Sequence, residues 1–226
     1  QKVDSRSFFL LHCLQEDEGV KREEKKRRTR NQLVEAAMAC FSEYGYEGTT
    51  VEAITQRAGV AKGTFFNYFE TKGDVLRYVG AVQEEWMLEE IRRIEANPGD
   101  SIIDALMELM VKTATRLPLS RPLVRAMFQA TLQTPEETAT QVGYFHRVGL
   151  ALIPLCEQGQ ARGELTRRMP ARHIAGLIMQ TYSGILLMWA LVPQPDEIEP
   201  LVRHTYDALF NGLRNPSSHR TNADHE

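Results

Sequence analysis

Cysteine is scarce in this chain. Among 226 residues there are three, Cys13, Cys40 and Cys156, widely spaced and with no CxxC pair. That excludes a disulfide scaffold and a cysteine zinc site, and it fits a reducing, cytoplasmic compartment. The six histidines are scattered without ligand spacing, and HExxH, GxSxG and a glycine-rich phosphate loop are all missing. The sequence therefore gives no reason to expect a metal, a cofactor or catalytic residues. The strict apolar–polar alternation of strands, hairpin turn signals and internal repeats are also missing. Charge of one sign is not in excess either. The formal net charge is −3, too small to name a partner.

Long hydrophobic runs are few. FFLLHCL, residues 8–14, resembles a short signal core, but it contains His12 and is followed by QEDEG instead of a small-residue cleavage site. IAGLIMQTYSGILLMWALVP, residues 174–193, has no charge over a length that spans a bilayer. Gln180, Thr181, Tyr182 and Ser183 at its centre favour a buried or interface helix, and no membrane partner is expected. A membrane-tethered protein using 174–193 as its span is the alternative.

What is present is helix. Hydrophobic residues make up 42% and charged residues 25%, ordinary globular values. Leu33, Ala36, Ala37, Cys40, Phe41 and Tyr44 recur at helical spacing, and Gly45 and Gly48 bracket the end of that first helix. Thr49 and Thr50 are N-cap types for a short helix over about 51–58, Gly59 suits a turn, and a third helix follows over about 61–68. A long helix starts near Lys72, with Thr71 as its cap, and reaches Glu95 before NPGD. Further helices are expected over 100–116, 120–133, 135–160 with Pro154 as a kink, 170–191 and 196–214. The expected class is all-α: a flexible extension over 1–24, a three-helix DNA-binding domain over 25–71, a larger helical body over 72–214 and a disordered tail over 215–226.

Two short helices around a glycine turn, packed on a preceding helix, are a helix-turn-helix signature. One short helix crosses the DNA backbone and the second enters the major groove. Charge distribution agrees: residues 21–72 carry ten Lys or Arg against seven Asp or Glu, with the excess in KREEKKRRTR. Val60 and Phe65 are assigned inward, leaving Lys62, Thr64, Asn67 and Tyr68 outward. Thr50 offers a hydroxyl and a helix N-terminus to a phosphate, with Thr49 beside it. Lys62 and Lys72 supply point charges, and Gly63 allows close backbone approach. Asn67 suits adenine or a phosphate, and Thr64 suits a thymine methyl. Arg27, Arg28 and Arg30 sit where an arm reaches the minor groove or the backbone.

Residues 33–76, LVEAAMACFSEYGYEGTTVEAITQRAGVAKGTFFNYFETKGDVL, resemble the DNA-binding domain of the TetR (tetracycline-repressor) family of bacterial transcription regulators. The resemblance implies a cytoplasmic homodimer. Its N-terminal head would read a double-stranded DNA operator, and its C-terminal body would bind a small-molecule effector. Three positions depart from the pattern. Phe66 stands where a Tyr hydroxyl usually touches a phosphate, Thr55 where Ala is usual, and Gly73 where an acidic residue is usual.

A two-fold reader needs a self-complementary interface. Periodicity supplies two stripes, Leu177, Ile178, Thr181, Ile185, Met188 and Trp189, then Ile198, Leu201, Val202, Leu209, Phe210 and Leu213. By spacing alone these are equally the core of one subunit or a dimeric four-helix bundle; the resemblance favours the dimer. The resemblance also places an effector pocket among the central helices. Trp86, Met107, Met110, Phe128, Tyr144, Phe145, Met179 and Tyr182 are candidate lining residues, with His146 and Arg147 as polar candidates. Met and aromatics at helical spacing equally fill ordinary cores. A largely hydrophobic effector fits this composition, repression is the expected mode, and activation is the alternative. An enzymatic role has little to rest on: Cys156 and His146 are ten residues apart on one helix.

Overall fold

A computed structural model describes residues 21–116, 120–131, 135–192 and 197–214. The extension up to residue 20, the PQP segment and the tail from residue 215 lie outside the described residues. The helices are α1 (Lys21–Gly48), α2 (Val51–Ala58), α3 (Lys62–Phe66), α4 (Lys72–Ala96), α5 (Ile102–Thr115), α6 (Arg121–Thr131), α7 (Pro135–Ala161), α8 (Ala171–Leu191) and α9 (Ile198–Leu213). Among the described residues there is no β-strand; one antiparallel bridge joins Leu165 to Arg214. α1 begins at Lys21, inside the span expected to be a flexible extension, and its regular path breaks at Gly45 (φ 73°, ψ 176°).

The chain divides into two compact units. The first comprises the residues up to Val82 together with Arg116–Thr134, and the second comprises Gln83–Thr115 and the chain from Pro135 onward. α4 contributes its first part to one and its second part to the other.

In the first unit the apolar face of α1 (Leu33, Ala37, Cys40 and Phe41) is buried with Ile54 of α2, Phe65 of α3, and Val75, Leu76 and Val79 of α4. Neither short helix is stable alone; burial of Ile54 and Phe65 supplies what propensity cannot, roughly 1.5–3 kcal/mol for each such side chain. α6 completes this core. Leu123, Ala126 and Ala130 are buried in it, and the Ser120 hydroxyl donates to Ser42 Oγ at 2.8 Å. Sequence periodicity had grouped α6 with the body, because its apolar face does not reveal which surface it covers.

The second unit has its own core, from Met87 and Ile91 of α4 through Leu106 and Leu109 of α5, Leu152 and Leu155 of α7, Ile174 and Ile178 of α8, to Tyr206 and Phe210 of α9. α7 runs through Pro154 as one helix. The GQARGEL segment is held by Gln160, whose Nε2 donates to the carbonyls of Thr166 (2.7 Å) and Met169 (2.8 Å). α8 is long and apolar enough to cross a membrane by length and composition. Yet Ile174, Ala175, Ile178, Met179, Tyr182 and Ile185 are buried in the core, the position of a helix packed among helices.

Candidate nucleic-acid interface

Thr50 opens α2 from extended backbone (φ −108°, ψ 157°), and its hydroxyl accepts from the Ala53 N–H at 3.1 Å. Its neighbour Thr49 is buried and donates to the Gly45 carbonyl at 2.7 Å, so of the two threonines Thr50 faces solvent. At the crossing position, Thr55 is buried and donates to the carbonyls of Val51 (3.0 Å) and Glu52 (3.1 Å). A hydroxyl satisfied within its own helix is tolerated where alanine is usual.

α2 stops at Gly59 in the left-handed region (φ 68°, ψ 31°). Its N–H donates to Gln56 O at 3.2 Å, and the Val60 N–H donates to Thr55 O at 3.0 Å. This paired closure demands a residue without a Cβ penalty at positive φ. The turn fixes how α3 leaves α2. Phe65 is fully buried, packed edge-on to Phe66 at 5.6 Å and tilted against Phe69 at 5.7 Å. With Phe65 inward, Lys62, Gly63, Phe66 and Asn67 are exposed and Thr64 and Tyr68 are half-buried. Phe66 is 51% exposed, an apolar ring held out in water. A Cβ added to Gly63 meets nothing within 4 Å.

The remaining expected contacts fall into two groups. Arg28 is exposed and Arg27 half-buried on α1. Arg30 lies over the Tyr68 and Tyr78 rings, at 6.0 and 5.5 Å, which aligns α1 with the α3 exit. Lys72 is engaged within the fold. Its Nζ donates to Tyr46 O at 2.6 Å and Thr49 O at 3.0 Å and stands 4.5 Å from the Tyr46 ring centre. It thereby closes the carbonyl end of α1. Gly73 next to it is explained by space: a Cβ there stands 3.1 Å from the Tyr46 hydroxyl.

Residue spacing did not reveal two exposed ion pairs in this head. Glu52 pairs with Lys62, tying α2 to α3, and Glu43 pairs with Arg57 at 2.7 Å, tying α1 to α2. The partner cation holds each carboxyl below its usual range. A cap at the start of α4 was partly legible as Thr-x-x-Asp. Asp74 Oδ2 accepts from the Thr71 N–H (2.6 Å) and hydroxyl (2.9 Å). Burial pushes the Asp74 carboxyl upward, but the Thr71 hydrogen bonds and Arg77 outweigh it and leave the pKa lowered.

The candidate pocket residues are dispersed differently. Met110, Met179 and Tyr182 are buried in the second core, with Trp86, Met107, Tyr144 and Phe145 packed against it. Phe128 is a half-buried residue of the first unit. His146 is exposed, and Arg147 pairs with Glu84 on the surface. Burial pushes the Cys156 thiol up to about 12, which keeps it protonated and unsuited to nucleophilic chemistry.

The expected dimer stripe is likewise split. Ile185, Val202, Phe210 and Leu213 are buried within one subunit. Leu177, Thr181, Trp189, Leu201 and Leu209 are half-buried, and Met188 is 56% exposed. The apolar surface of α8 is therefore its far end, Leu187, Met188 and Leu191.

A helix-turn-helix whose second helix presents Lys62, Gly63, Phe66 and Asn67 to solvent, carried on an all-helical chain, defines a DNA-binding regulator. Residues 33–79 match the family model for "Bacterial regulatory proteins, tetR family". It is 28% identical over 172 residues to the HTH-type transcriptional repressor KstR of Mycobacterium tuberculosis, covering 74% of this chain and 73% of that one. It is 36% identical over 91 residues to the HTH-type transcriptional regulator TcmR of Streptomyces glaucescens, covering 39% of this chain and 40% of that protein. Among solved structures, FadR of Bacillus subtilis in complex with stearoyl-CoA has the same fold, with TM-score 0.64 and 21% identity over 81% of this chain and 98% of that one. Each of these is named as a transcriptional regulator or repressor.

Proposed function

We propose that this chain is a cytoplasmic, homodimeric repressor that reads a palindromic operator through α3 and is released by a small, largely hydrophobic effector. The observation that carries the reading is the division of α3: Phe65 fully buried, Phe66 and its polar neighbours held out. α2 crosses the phosphate backbone with the Thr50 hydroxyl and the first N–H groups of the helix facing it. α3 enters the major groove. There Lys62 exchanges Glu52 for a phosphate, Asn67 reads a base edge, and Thr64 and Phe66 offer apolar contact to a thymine methyl. Lys72 acts from behind, by holding the end of α1 in place.

A single head binds weakly; two heads on a two-fold axis read two half-sites about one helical turn apart. The exposed end of α8, Leu187, Met188 and Leu191, with the half-buried faces of Leu177, Thr181, Leu201 and Leu209, forms the self-complementary seam. The effector binds in the second unit, and α4, which belongs in part to each unit, carries the change to the head. Release requires only that the effector prefer the head spacing that does not fit DNA. The KstR relative is named as a repressor, and the FadR structure holds an acyl thioester, which supports this reading of mode and effector.

The test is selection from a randomised DNA pool. A palindrome with two equal half-sites, bound by two chains, supports the proposal. Enrichment of no sequence, or a single asymmetric half-site bound by one chain, overturns it.

A further inference from the structure

The core of the second unit contains polar side chains that its own fold leaves short of partners. Gln83 is 8% exposed, and its Nε2 donates to the Thr113 carbonyl at 3.2 Å. A carbonyl partner fixes which end of the amide is the donor, so Oε1 is the free end. That oxygen is buried with no hydrogen-bond partner among the described residues. Tyr182 is 5% exposed on α8 and belongs to the same core. The adjacent Tyr206 is satisfied, donating to the Ile178 carbonyl at 2.7 Å. Tyr144 on α7 reaches the Met87 thioether at 3.7 Å, a weak acceptor.

Gln83 and Tyr144 share one wall through Met87. Gln83 and Met87 are one turn apart on α4, and Tyr144 reaches Met87. Tyr182 is buried in the core against which Tyr144 packs. Met110 and Met179 belong to the same core, and Met107 and Phe145 pack against it. The nearby ionised pair, Glu84 and Arg147, is mutually neutralised, and Arg147 is directed to the surface at 54% exposure. An unmade buried hydrogen bond costs on the order of 1–3 kcal/mol, so the unpaired Gln83 oxygen in this apolar region is hydrogen-bonding capacity for a guest.

Resting on the regulator reading above, we infer that the effector is an uncharged, largely apolar alcohol or phenol: Tyr182 and Tyr144 donate to its oxygen, and its hydroxyl donates to Gln83 Oε1. A carboxylate is disfavoured at this wall. It has no proton for Gln83 Oε1, and Arg147, on the same helix as Tyr144, is already paired with Glu84.

The experiment titrates the full chain with 1-decanol and with decanoate, following heat of binding and, in parallel, release of the DNA selected from the random pool. Tyr182→Phe and Gln83→Leu are titrated alongside. The expected result is decanol binding at least about tenfold tighter than decanoate, with each variant weakening decanol by about three- to tenfold. Unliganded Tyr182→Phe should melt near the parent temperature, because the change removes one oxygen and leaves the buried ring in place. Equal or tighter binding of decanoate, or decanol binding untouched by both variants, overturns the inference. So does failure of both probes to bind while the chain still selects a palindrome; in that case the regulator reading stands. Decanol binding as inferred by a chain that selects no DNA supports this site and sinks the regulator reading alone.

Discussion

The two units use the same material differently. In the first, short elements are forced into place by punctuation: a threonine cap, a left-handed glycine, one buried phenylalanine and a lysine closing a helix end. What is left over faces outward and is polar. In the second, long helices hold one another by continuous apolar faces, and what is left over, the Gln83 amide oxygen, is buried. A surface that reads a charged polymer is built by turning residues out. On the reading proposed above, a site for a small apolar molecule would be built by leaving a polar group unpaired inside. The contrast predicts that damage in the head separates into folding and DNA effects, and that polar changes in the body core leave folding nearly untouched.

The largest effect is expected from Phe65→Ala. It removes the ring around which α3 and Phe69 pack and should cost about 3–5 kcal/mol in denaturant unfolding, abolishing DNA binding with it. A loss below 1 kcal/mol would mean that α3 is not held by this core. Next comes Lys62→Ala. It should weaken binding to all sequences and reduce the salt slope by about 1, while stability moves by less than about 0.5 kcal/mol, because the Glu52 pair is exposed. Lys72→Met sharpens the comparison from the other side. It should lower stability by about 1 kcal/mol through the lost carbonyl contacts, seen as a drop in Tm of several degrees.

Gly63→Ala separates folding from binding most cleanly. A methyl group there meets nothing in the chain, so stability should rise by about 0.5–1 kcal/mol while operator affinity falls. Unchanged affinity would remove Gly63 from the interface. The smallest effect is expected from Asp74→Asn. The folded carboxyl is depressed below its usual 3.8, so its contribution is present above that pH and lost as pH falls through the folded value. The variant should therefore be about 1 kcal/mol less stable at pH 7 and converge with the parent under strongly acidic conditions, as read from urea unfolding across pH.

Much of the head was legible because its constraints are local. Gly59, Thr50 and the Thr71–Asp74 cap act within four residues, and a pattern over such a span is visible in one dimension. Contacts across distance were not. Lys72 meets carbonyls 23 to 26 residues away, and Ser42 meets Ser120 across 78. Neither is marked by any local signal, so Lys72 read as a bare surface charge. In the body, spacing shows that α8 and α9 have apolar faces but not what covers them. Val202 and Phe210 therefore looked as suited to a partner subunit as Met188, although only Met188 remains on the surface. Gln83 was passed over because one glutamine on a long helix is ordinary until its burial is known.

The measurement that tests the central claim most directly is amide hydrogen exchange of the full chain with and without the selected duplex. The account predicts that DNA slows exchange first and most in residues 50–68, the α2–turn–α3 segment, with α5, α7 and α8 unchanged at early times. Protection concentrated in the second unit, with 50–68 exchanging as in free protein, would contradict it.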